Sequence, residues 1–253
     1  MRTAKIGGHD VVLYDSIDTL PILRFHAFNK MLLIDAGIGT DLADFDSHIE
    51  RVTRFIAAKE YDNAVKELAN MRQNVYMIQQ GVAPKHLAFA ALVKSIDGEA
   101  CDDISSDGLA KTLARLNDAT RQEIATEVTA AKKKIEEEVR LYFPRLADDT
   151  EVKEYHDVLR RRTLLQIDVI LNGETDEKLR EIDELTTRLV TSDKPKTFTG
   201  KDSAEIRHDK SFEDMCIVIA KELNIDAKKM TVLEYYNAFE FVREMKRQTS
   251  TKK

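Results

Sequence analysis

Spacing is the feature that most restricts this chain. Between residues 120 and 142 the apolar side chains Ile124, Val128, Ala131, Ile135, Val139 and Tyr142 follow one another at steps of 4, 3, 4, 4 and 3. Those steps place them on one face of an α-helix. The same rhythm recurs in Leu42, Phe45, Ile49, Val52 and Ile56, in Val65, Leu68, Met71, Val75 and Ile78, and in Leu179, Ile182, Leu185 and Leu189. Only nine glycines and four prolines interrupt 253 residues, so the stripes run along long rods. The pattern predicts a mostly α protein: an antiparallel bundle of long helices, a short N-terminal strand or arm, and a small C-terminal helical pair.

The few breakers mark where rods begin and end. Pro21 opens a first helix that reaches Ala36 and stops at Gly37. In "GIGTD" (37–41) the glycines follow a helix, and no Gly-Lys-Ser/Thr appears. A phosphate loop needs a strand before its glycines, so the stretch reads as a corner, with Gly37 turning left-handed, Gly39 permitting a second reversal and Thr40 or Asp41 capping the next helix. Pro84 opens a helix over "PKHLAFAALVKSI" (84–96), closed by Gly98. Long helices are expected at 120–142, 150–171 and 175–191. "HDVVLYDSID" (9–18) is the strand candidate, and Thr231 with Glu234 makes a capping box. The domain reading is an arm over 1–18, a helical body over 19–191 (short helices to 98, long ones from 105) and a polar linker over 192–210. A helical pair with a basic tail, including Lys252 and Lys253, follows over 211–253.

No reaction is legible. Six histidines show no metal or triad spacing. The best chelating pair, Asp44 and His48, lies four residues apart on one helix and lacks a third ligand. His26, His86 and His156 have no catalytic partner in the sequence, and no serine sits in Gly-x-Ser-x-Gly. The run Arg160, Arg161 and Arg162 fans around a helix and makes no single patch. A formal charge of −6 gives no general attraction to nucleic acid. Cys101 and Cys216 suggest a reduced setting, and no run is long and apolar enough to span a membrane. The expectation is no enzyme, no cofactor and no metal, with a helical enzyme holding a divalent metal at Asp44 and His48 as the further alternative.

Two stretches carry a family likeness: "LYDSIDTLPILRFHAFNKMLLIDAGIGTDLADFDSHI" (13–49) and "MTVLEYYNAFEFVREMKR" (230–247). Together they resemble helical structural proteins of crAss-like tailed phages, which build the head-to-tail ring or connector beneath the portal. The second stretch alone is similar to phage tail-assembly chaperones. The resemblance implies a virion protein, made in the host cytoplasm, that forms homo-oligomers and meets portal or tail components. It carries no catalytic residue. Within that reading, contacts come from the apolar helix stripes, and the named candidates are the arm residues Val11, Val12 and Leu13 and the C-terminal aromatics Phe212, Tyr235, Tyr236 and Phe239.

Overall fold

The computed structural model describes residues 1–81, 83–144, 150–192 and 194–250. Lys252 and Lys253 of the basic tail lie outside them. The chain is mostly α-helical, and it divides into two compact units whose segments alternate along the sequence.

The first unit joins Met1–Ala36, Gly81–Pro144 and Lys201–Lys253. Strands β1 (Arg2–Ile6), β2 (His9–Leu13), β3 (Val93–Ile96) and β4 (Glu99–Ala100) form an antiparallel sheet in that order. The expected N-terminal arm is therefore a strand paired on both edges, with Val12 opposite Thr3 and Ser95. Two-residue turns set both outer hairpins. Gly7 and Gly8 take φ of 55° and 84°, and Asp97 and Gly98 take 50° and 83°. Two successive positive φ values match the right-handed strand twist.

Helix α4 (Pro84–Leu92) ends four residues earlier than the spacing predicts, because Val93–Ile96 leaves the helix to pair with β2. Its residues Ala88 to Leu92 are buried, and α5 (Ser106–Ala114) and α6 (Arg121–Tyr142) pack on it. Helix α6 buries the predicted face: Ile124, Val128, Ala131 and Ile135.

Helix α1 (Ile22–Ile38) is tied to this sheet by the buried Arg24. Its guanidinium donates to the carbonyls of Ala91 (3.1 Å), Val93 (2.8 Å) and Cys101. The C-terminal pair is α9 (Ala204–Leu223) and α10 (Val232–Ser250). Helix α9 starts inside the expected linker, where Ser203 caps it by accepting from Ile206 N. The pair docks on the N-terminal segment: Val232 N donates to Leu20 O (2.9 Å) and Ile22 N to Met230 O (2.9 Å).

The second unit contains Gly37–Gln80 and the described residues from Thr150 to Gly200. It is built from two antiparallel hairpins, α2 (Leu42–Ala57) with α3 (Tyr61–Gln80) and α7 (Thr150–Asn172) with α8 (Asp176–Ser192). Helix α8 lies against α2, where Arg54 donates to Asp183 and Thr187, each at 3.0 Å. "GIGTD" is the corner between α1 and α2, with the glycine roles divided differently from the expectation. Gly39 alone is left-handed, at φ 67°. Gly37 is helical and needed for space, since a Cβ there would stand 2.2 Å from the Phe198 ring. Asp41 caps α2, with Asp44 completing the box.

Candidate assembly surface

Helix α3 is turned inside out. Its buried positions are Ala64, Glu67, Asn70 and Asn74. Glu67 is 2% exposed and Asn74 0%, whereas Val65 is 65% exposed and Leu68 44%. This apolar stripe looks outward, and of its members Met71 and Ile78 are half-buried. Helix α2 behaves likewise. It buries His48 and Phe55 and leaves Leu42, Ile49 and Ile56 exposed, with Phe45 and Val52 half-buried.

A buried polar network explains the rotation. His48 Nε2 donates to Ile38 O at 2.8 Å, and its Nδ1 lies 2.8 Å from Glu67 Oε1. Arg51 Nε is 2.8 Å from the same carboxylate oxygen. Asn74 Nδ2 donates to Ile38 O at 3.0 Å, and Asn70 Nδ2 to Lys196 O at 3.0 Å. The free carbonyl at the end of α1 thus receives a histidine and an asparagine. Burial pulls the His48 pKa down. The hydrogen bonds to Glu67 and Ile38, with the Glu67 charge, outweigh burial and the opposing Arg51, so the ring titrates above its ordinary value. An imidazolium, with both nitrogens donating, satisfies both partners. Turning the apolar stripes inward would break this network and leave the Ile38 carbonyl at the end of α1 without its two donors.

The two outward stripes share one side of the hairpin. On α2 the exposed positions follow the buried ones by one residue (48 to 49, 55 to 56), as they do on α3 (64 to 65, 67 to 68, 74 to 75). One residue is a turn of about 100°. Because the helices are antiparallel, equal turns from their shared contact swing both stripes to the same side. His48 opposite Glu67, and Glu60 N on Phe55 O, fix the levels. Ile56 stands level with Tyr61, Ile49 with Val65 and Leu68, and Leu42 with Val75. The result is a continuous apolar face on a polar interior.

The arm residues and C-terminal aromatics named as contact candidates lie elsewhere. Val11 and Leu13 are sheet interior at 0% and 1% exposure, so neither can reach a neighbour. Val12 is half-buried in the same strand. Tyr235 is buried, with its hydroxyl pKa driven far up by burial. Phe212 stacks on His26 at 4.1 Å, with His208 stacked on the other side of that ring at 4.4 Å. Tyr236 meets Phe143 at 5.4 Å and Phe25 at 6.3 Å. These aromatics hold α9 and α10 onto α1 and α6. Phe239 is half-buried and lines an open groove with Met215, Val218 and Val242.

Asp44 and His48 do not converge as ligands. Asp44 accepts from the Thr40 (2.7 Å) and Asp41 amides, and both His48 nitrogens are engaged. Among the described residues no cluster of three His, Cys, Asp or Glu side chains could hold a metal. Nor, among them, is any helix long and apolar enough to cross a membrane.

The apolar residues of the face stood in the sequence as helix stripes, but which side they turned to depended on His48 and Glu67, nineteen residues apart. A signal was present: Glu67, Asn70 and Asn74 themselves repeat at helical spacing, a second stripe of the kind that buried hydrogen-bonding groups make. No protein-family model, curated protein or solved structure matches the chain.

Proposed function

We propose that this protein is a non-enzymatic assembly component, acting through helix packing in the manner of the head-to-tail ring or connector proteins its sequence resembles. The observation that carries the reading is the apolar face of α2 and α3. Exposed contiguous apolar surface of this extent marks a protein contact, and here it overlies a polar interior that holds it outward. Helix α7 adds Leu164, Ile167, Ile170 and Leu171, all exposed, so the second unit offers more than one apolar stripe. A ring or connector needs several such surfaces per subunit. In this setting the partners are further copies of the chain and portal or tail proteins.

Mass spectrometry of purified particles tests the placement. Stoichiometric copies are expected. Their absence from particles, with the protein found on tail precursors in infected cells, would replace the ring component with an assembly chaperone.

A further inference from the structure

We infer that the occupant of the α2–α3 face is the same face of a second copy, applied antiparallel about a twofold axis to close a four-helix bundle. This deepens the assembly reading and rests on it.

The spacing of the face reads the same in both directions. Ile49 has Leu42 seven residues before it and Ile56 seven after. Leu68 has Tyr61 seven before and Val75 seven after. A reversed copy therefore sets Ile49 on Ile49 and Leu68 on Leu68 at the axis. Leu42 then meets Ile56, and Tyr61 meets Val75. Sevenfold repetition suits side chains that interlock between helices.

The charges agree with this arrangement. Asp62 flanks the stripe six residues before Leu68, and Arg72 stands in it four residues after. Both are exposed, and among the described residues neither forms an ion pair within the chain. Reversal about Leu68 brings each Asp62 within two residues, roughly 3 Å along the axis, of the other copy's Arg72. Within one chain the two are ten residues apart, about 15 Å, too far to pair.

The area is also sufficient. The large apolar side chains of the face are each about half exposed, and together they offer roughly 700 Å², close to the ~800 Å² per partner of stable interfaces. Isologous contacts of this kind pair subunits within larger closed assemblies.

Sedimentation of the full chain should show a concentration-dependent dimer or an even multiple of it. Asp62→Arg and Arg72→Asp should each weaken association about tenfold, and the two together should restore it. Leu68→Cys should give a disulfide-linked dimer under mild oxidation, since the native Cys101 and Cys216 are buried and do not compete. Two results would overturn the inference. One is a chain that stays monomeric at all concentrations while still entering particles. The other is an oligomer untouched by Ile49→Arg with Leu68→Arg. Either leaves the assembly reading standing on other surfaces, whereas a monomer absent from particles and precursors removes both.

Discussion

His48 and Glu67 sit where an ordinary helical hairpin would place a leucine and an alanine. A histidine in that setting couples folding to acidity. The folded ring holds its proton more tightly than the unfolded ring, so protonation stabilises the second unit. That contribution is complete below the unfolded value of 6.5 and fades as pH rises through the higher folded value. Thermal melts should therefore show the second unit losing stability as pH rises above 6.5, and His48→Gln should flatten that slope. Glu67→Ala leaves His48 and Arg51 facing a void and should cost about 3–5 kcal/mol in urea unfolding. Gly37 makes a steric prediction of its own. Phe198 is buried and cannot swing away, so Gly37→Ala should destabilise by about 1–3 kcal/mol, read from the same unfolding curves.

Among the elements, β2 and α3 exchange the roles that their composition suggests. The apolar strand expected to reach outward is interior, and the apolar stripe of α3, which a lone hairpin would bury, is outward. Leu13→Ala should accordingly cost about 2–5 kcal/mol, although an arm residue would be neutral. Val65→Lys with Leu68→Lys should leave the helical circular dichroism and the melting curve of the monomer within about 0.5 kcal/mol of wild type. Helix α6 was legible because its stripe at Ile124, Val128, Ala131 and Ile135 meets α4 directly. The sheet was partly legible. "GG" at 7–8 and "DG" at 97–98 are hairpin signals, but Val93–Ile96 continues the composition of α4 without a break. Only pairing with β2 decides its state. The start of α9 at Ala204 was hidden by the polar run before it, which supplies the cap at Ser203 in place of a linker.

At the scale of the molecule, the two units are stabilised differently. The first has an apolar centre that includes Phe28, Phe89, Phe143, Ile6 and Leu13. The α2–α3 hairpin instead encloses His48, Glu67, Asn70 and Asn74 around Phe55. Hydrogen exchange should find the amides of α2 and α3 opening at lower free energy than those of α6 and β2. Raising the protein concentration should protect α2 and α3 and leave α6 unchanged, because binding stabilises only the part that binds.

The first unit is assembled from three segments that alternate along the chain with the two of the second. During synthesis it cannot close until α9 and α10 emerge, well after α2 and α3 have been translated. Nascent chains on neighbouring ribosomes thus display the greasy hairpin to one another before either is finished, and mating can begin on the polysome.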